Sequence, residues 1–320
     1  MTVFTKIVGV LWKIGAFWGA TWGMLGWFGI SVPHPALRLP AMLALLLFLD
    51  ISFWLSMCQL FGSHFAKIVH GSKLPSDENY DCKVDYILPF EGKWTVFNGG
   101  IGKGFSHAWN IIPQRYAYDF IIMDDNGKSF AGDSKKLQSY YCYDKNVIAP
   151  ADGIVVKVSN SHKNSRVNGE KIYCDTWDIR GNFIVIRHAE KEFSVSAHLI
   201  PDSITVRKGD KVRQGDIIGK CGNSGNTSEP HLHFQLQTGK SFFASAGLPI
   251  SFVNINAQEK TNYGMADSRS SQKEALKARG EARVYIGRGL EVENGTNQGA
   301  FDGCGSDTND AETISAGSCC

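Results

Sequence analysis

The sequence predicts a mainly β protein: a compact, mainly antiparallel β domain preceded by two N-terminal membrane helices. Three observations carry this. From Trp94 to about Asn256, short β-forming runs recur between Gly, Asn and Asp. The stretch His231-Leu232-His233-Phe234-Gln235-Leu236 alternates polar with apolar, the period of a strand with one packed face. The first 66 residues are apolar and nearly uncharged.

No formal charge lies between Lys13 and Arg38, and Ile14 to Val32 is long enough to cross a bilayer. A second run, Leu39 to Ala66, carries one charge, Asp50, and Pro33, Pro35 and Pro40 mark the turn between the two. A secretory signal peptide is the alternative for the first run, but it lacks a small-x-small cleavage site and a second apolar run follows at once. A buried helical hairpin of a soluble protein is the other alternative. Asp50 is costly in lipid and is expected to face the partner helix or another subunit, or to be protonated. The lipid bilayer and a membrane protein are thus expected partners of this hairpin. Lys6, Lys13, Lys67 and Lys73 flank it against Arg38 in the turn. If both segments span, that bias places the soluble part in the cytoplasm; if one lies in the interface, the soluble part is outside.

Residues 67–93 read as a polar connector with a strand near Val84 to Phe90. The β domain follows over 94–256, with runs at Tyr116–Met123, Asn146–Ser159, Asn182–His188, Phe193–Leu199, Ile217–Gly219 and His231–Leu236. Ser129 to Asp144 and Ser161 to Asp178 read as loops. An extension over 257–294 contains a helix-permissive stretch, Ser271 to Ala282, and a last strand within Val284 to Val292. Residues 295–320 read as a disordered tail rich in Gly, Ser, Asn, Thr and Asp. A net charge of +2 gives no electrostatic case for nucleic acid as a partner. Eight cysteines contain no CxxC pair, which argues against a cysteine-based zinc site. Cys82, Cys142, Cys174 and Cys221 form either two disulfides or four buried free thiols.

Three blocks carry chemistry: Gln114-Arg115-Tyr116-Ala117-Tyr118-Asp119-Phe120, Ser196-Ala197-His198-Leu199 and His231-Leu232-His233. Side chains two apart on a strand share a face, whereas a helix separates them by about 200 degrees. A carboxylate and imidazoles converging from separate strands suit one Zn2+ ion with a position left open for water. A further, non-ligating imidazole can take a proton from that water or steady an oxyanion. His162 and His188 read as structural or solvated. The hairpin Gly209 to Gly219 is similar to lipoyl and biotinyl carrier domains but lacks their lysine tip.

From Val147 to Gln235 the chain resembles the lysostaphin-like, LytM-type zinc endopeptidases. The residues concerned are Ala149-Pro150-Ala151-Asp152-Gly153, Gly181-Asn182-Phe183-Ile184-Val185-Ile186, Ala197-His198-Leu199, Gly209 through Gly219, Gly222-Asn223-Ser224-Gly225 and Pro230-His231-Leu232-His233-Phe234. The block from Gln114 extends the likeness upstream. The resemblance implies a LytM-like barrel-sandwich hybrid, with Asp119 and His233 as zinc ligands and His198 and His231 as catalytic imidazoles. It also implies that the substrate is the peptide part of bacterial peptidoglycan. One position departs. The family places a histidine ligand four residues before the aspartate, and Arg115 stands there. A guanidinium has no lone pair to ligate with. Either His107 supplies the missing nitrogen and Arg115 meets a carboxylate of substrate or protein, or the domain only binds. The resemblance is closest to a branch with this Gln-Arg-Tyr-Ala-x-Asp motif. Arg115 and Asn182 are the candidate substrate contacts. The expected protein is a membrane-anchored zinc endopeptidase of the inner membrane, its soluble domain facing the periplasm or cell exterior. A catalytically silent module that binds cell wall or activates another hydrolase is the alternative.

Overall fold

A computed structural model describes residues 51–71, 73–167, 173–174, 178–267, 276–280 and 282–295. The first expected membrane segment, the second as far as Asp50, and the tail from residue 296 lie outside the described residues. Among those described, no helix is long and apolar enough to cross a membrane.

One antiparallel sheet organises the molecule. Its strands in chain order are β1 (Trp94–Asn98), β2 (Tyr118–Ile121), β3 (Gly153–Ser159), β4 (Asn182–Ala189), β5 (Glu192–Leu199), β6 (Lys211–Val212), β7 (Leu232–Gln237), β8 (Ile255–Glu259) and β9 (Leu290–Asn294). Across the sheet they run β8-β9-β1-β2-β7-β5-β4-β3-β6, and Gly247–Leu248 pairs with the end of β7. The mainly antiparallel β expectation therefore holds. The C-terminal extension adds β9 directly beside β1. Where Ser271 to Ala282 was expected to permit a helix, Lys277–Arg279 is instead a strand paired with Arg283–Tyr285. Pairing with a neighbouring segment outweighs the intrinsic preference of a short charged run.

Alternation decides which face packs. Leu232, Phe234 and Leu236 of β7 are fully buried on the core side, beside Tyr118 and Phe120 of β2. Tyr86, Leu88 and Phe90 join the same core. The strand expected there forms only single bridges, Tyr86 to Phe252 and Phe90 to Val147. What fixes this segment is a buried carboxylate. Glu192, fully buried at the start of β5, accepts hydrogen bonds from the Tyr80 hydroxyl, from the Tyr86 hydroxyl at 2.8 Å and from the Lys83 amide at 2.7 Å. Three donors offset the cost of burying a charge, so the connector is tied to the sheet. Cys82, Cys142 and Cys221 are buried free thiols.

Helix α1 (Ile51–His70) lies against the domain. Its Ser63 hydroxyl accepts from the Ile112 amide at 3.1 Å, and Ala66 is fully buried. Gly62 permits the approach, because a Cβ there would fall 1.9 Å from the Phe243 carbonyl oxygen. The outer face is apolar: Leu60, Phe61, Phe65, Ile68 and Val69 are exposed.

Candidate metal centre

The sheet register assembles the centre in one row. Asn98 of β1 pairs with Asp119 of β2, Asp119 with His233 of β7, and His233 with Ala197 of β5. Paired residues on neighbouring strands present their side chains to the same face, so Asp119 and His233 meet. His233 Nδ1 lies 3.0 Å from Asp119 Oδ1. His107, from the loop before β2, brings its Nε2 to 3.1 Å from Asp119 Oδ2. One ligand atom each from His107, Asp119 and His233 fit within 4.8 Å of one another.

The His233 tautomer follows from its neighbours. Gln237 Nε2 donates to the Gly239 carbonyl at 2.6 Å, so its Oε1 is the acceptor for Gln235 Nε2 at 2.7 Å. Gln235 Nε2 also reaches the Pro113 carbonyl at 3.1 Å. Two backbone carbonyls, which cannot be flipped, thus orient both amides. Gln235 Oε1 is left to accept from His233 Nε2 at 3.0 Å. Nε2 of His233 therefore carries a proton, and Nδ1 is the nitrogen that faces the Asp119 carboxylate and would be the one to ligate a metal. This nitrogen and the carboxylate oxygen at 3.0 Å need a cation between them, a proton or a metal ion. The donor set of two imidazoles and one carboxylate suits zinc, and Gln235 is the outer partner that such a ligand requires. Burial pushes the Asp119 carboxyl up, but His107, His231 and His233 outweigh it and hold it well below the usual carboxylate range.

The other two histidines flank this trio. His198 follows Ala197, so plain alternation would send it to the opposite face of the sheet. Its φ of 63° turns it back into the pocket. That conformation is held by its amide on the Arg180 carbonyl at 2.9 Å and by Nδ1–H donated to the Ser224 carbonyl at 2.6 Å. Burial, then the neighbouring His231 and His233, keep its imidazole well below the ordinary value and therefore neutral. His231 donates Nδ1–H to the Glu229 carbonyl at 2.8 Å. Its Nε2 stands 3.7 Å from Asp119 Oδ1. The two rings are 4.6 Å apart between centroids, and Nδ1 of each is engaged by a backbone carbonyl. The five residues line a pocket of about 260 Å³ together with Asn98, Gln114, Arg180 and Phe242, and Gln59 of α1 also reaches it.

Arg115 is elsewhere. The strand begins only at Tyr118, and Arg115 ends the short helical turn Ile112–Gln114. The alternation that would aim it at the metal does not extend to it. Its Nε donates to the Trp109 carbonyl at 3.1 Å and its guanidinium lies 4.6 Å from the Trp109 ring centre. Asn182 is fully buried; its side chain bonds the His162 amide and carbonyl and the Leu199 carbonyl. Neither lines the pocket. The residues that sequence reasoning missed are Gln235, Asn98, Arg180 and Phe242. Gln235 had a signal, since it shares the His233 face two residues on.

Residues 139–244 match the model of Peptidase family M23. His198, His231 and His233 fall inside the match; His107 and Asp119 lie upstream of it. The peptidoglycan DD-endopeptidase ShyA of Vibrio cholerae is 43% identical over 56 residues, 18% of this chain and 13% of that protein. The glycyl-glycine endopeptidase ALE-1 of Staphylococcus capitis is 32% identical over 80 residues, 25% of this chain and 21% of the relative. The chain thus spans less than a quarter of the length of these relatives. The catalytic domain of lysostaphin from Staphylococcus simulans aligns at 21% identity, covering 55% of this chain and 95% of that one, with a TM-score of 0.27.

Proposed function

We propose that the chain is a membrane-anchored zinc endopeptidase hydrolysing peptide bonds in bacterial peptidoglycan, of the M23 branch bearing the Gln114-Arg115-Tyr116-Ala117-x-Asp119 motif. The observation that carries this reading is the His107–Asp119–His233 cluster with His233 Nδ1 turned inward by Gln235. His107 takes up the ligand position that Arg115 leaves vacant in the motif, which favours an enzyme over a silent binding module. Zinc held there supplies Lewis acidity toward the scissile carbonyl and a water whose pKa is lowered to about 7.

The chain's own residues divide the remaining work. His231, the more exposed of the two flanking imidazoles, receives the proton of the attacking water on Nε2. Once protonated, the same atom donates to the departing amine. His198, kept neutral by burial, accepts from the water and fixes its direction. The fixed Nδ1–H bonds to Ser224 and Glu229 carbonyls prevent either ring from turning its Nε2 away.

Peptidoglycan lies outside the inner membrane, so the same reading places the soluble domain in the periplasm or cell exterior. The exposed apolar face of α1 supports a seat at the bilayer. It also leaves room for a membrane-protein partner. Two measurements test the proposal. Elemental analysis of the purified unmutated protein is expected to give one zinc per chain, and incubation with isolated sacculi is expected to release peptides detectable by mass spectrometry. Absence of zinc overturns the enzyme reading and leaves the cell-wall-binding module. Protease protection in intact cells tests the topology, and a cytoplasmic domain removes the peptidoglycan substrate.

A further inference from the structure

A second groove, of about 520 Å³, opens beside the metal pocket. The two share Arg180 and Phe242 as lining residues, so they adjoin there. Phe242 and Phe243 form one wall, ring centres 5.4 Å apart and edge to face. Lys157, Lys208 and Lys240 also line it, with no acidic side chain among the described lining residues. Arg180 is nearly fully buried, 3.6 Å over the Phe183 ring and 5.1 Å from Phe242. Its Nε and Nη2 donate to Asp178 at 2.8 and 2.6 Å. Its buried Nη1 has no hydrogen-bond partner among the described residues. Among the described residues four cations line the groove and Asp178 bonds one of them, Arg180, whose buried Nη1 donor is left unused near where the pockets adjoin. Lys157 feels the imbalance: burial and then the Arg180 and Lys240 charges lower its ammonium, against the pull of Asp178.

Resting on the endopeptidase reading, we infer that this groove binds a carboxylate-bearing segment of the peptide substrate, leading from the metal centre past Arg180 to Lys157, Lys208 and Lys240. The aromatic wall packs the segment's aliphatic parts, and the lysines select its charge. A neutral peptide loses the second contribution and keeps the first.

The test uses the full chain loaded with zinc and two synthetic cross-linked stem-peptide dimers carrying an uncharged dye. One has free carboxylates; in the other every carboxylate is amidated. Fluorescence anisotropy is expected to show the free-carboxylate dimer binding about tenfold more tightly, the sum of several exposed ion pairs. The preference is expected to shrink as salt is raised. In the Lys157→Gln/Lys208→Gln/Lys240→Gln variant it is expected to fall to about twofold. Equal binding of the two dimers, or an undiminished preference in the variant, overturns the inference. Anisotropy is read in the His231→Gln background, which keeps the proposed ligands but lacks the proposed base, so the dimers stay intact and a chain that cuts neither dimer still tests the groove. A chain that cuts the dimers yet binds them equally keeps the endopeptidase reading and loses this one.

Discussion

His233 Nε2 lies 3.0 Å from Gln235 Oε1, and this contact decides which nitrogen of His233 faces Asp119. Replacing Gln235 by Leu removes the acceptor and frees the ring to choose its other tautomer. Zinc affinity is expected to drop about 10- to 100-fold, the usual cost of losing an outer-shell partner. Competition with a fluorescent zinc chelator measures it. Gln235→Glu, which keeps an acceptor, is expected to recover part of the loss. Equal affinities in wild type and Gln235→Leu count against the tautomer argument.

His107 and Arg115 are expected to behave oppositely. His107→Ala removes one of the three ligand atoms, and the purified protein is expected to lose its stoichiometric zinc and its hydrolytic activity. Arg115→Ala removes a cation that stacks on Trp109 outside the pocket, so zinc content is expected to stay at the wild-type level. Metal analysis of the two variants side by side decides the matter. Zinc lost from Arg115→Ala instead would return the arginine to the centre.

The sheet, Asp119 and the His231/His233 strand were legible in the sequence because they rest on period-two alternation. What was not legible depends on departures from that period. Arg115 precedes the strand, which begins only at Tyr118, so alternation does not fix where it points. His198 reaches the pocket only through a left-handed backbone, which no side-chain pattern announces. Arg180 and Phe242 come from loops brought together by the fold, and loop encounters leave no periodic trace. The buried Glu192 fixing Tyr80 and Tyr86 is likewise a long-range contact, across more than a hundred residues of chain.

Phe234 sits between His233 and Gln235 on β7 and faces the opposite way, fully buried in the main core. Phe234→Ala is expected to cost about 3–5 kcal/mol of stability through lost transfer energy and the cavity left behind. Urea unfolding of the metal-free protein measures this. A cost below about 1 kcal/mol is incompatible with the packed face assigned to the strand.

Stability is expected to weaken in acid, in part through His188. Burial lowers this imidazole below its ordinary value of 6.5, while its two nitrogens contact the Asp152 carbonyl at 2.8 Å and the Ser194 hydroxyl at 2.7 Å. The unfolded chain therefore binds a proton at higher pH than the native one. As pH falls through 6.5 the unfolded state gains protons first, and stability drops until the native imidazole titrates in turn. Urea unfolding at about pH 7.5 and about pH 5.5 is expected to show a smaller acid loss in His188→Gln than in wild type. Identical losses would assign the acid sensitivity to other groups.

Gly181 controls His198 without touching substrate. It adopts φ of +60°, and a Cβ there would meet the Ser224 carbonyl carbon at 2.3 Å and the Gly225 nitrogen at 2.5 Å. Both neighbours of Gly181 are tied to the same structure. The Arg180 carbonyl accepts the His198 amide, and the Asn182 amide donates to the Ser224 hydroxyl at 2.9 Å. Ser224 in turn holds His198 Nδ1. Gly181→Ala must push Ser224 away, and the acceptor that orients His198 moves with it. The left-handed φ alone costs about 1–3 kcal/mol in a non-glycine residue. The variant is expected to retain its zinc, since His107, Asp119 and His233 lie on other elements, while kcat falls and stability declines by about that amount. Zinc analysis, urea unfolding and initial-rate kinetics on one preparation separate the two effects. Wild-type kcat in a destabilised Gly181→Ala protein would show that His198 does not need the orientation that Ser224 gives it.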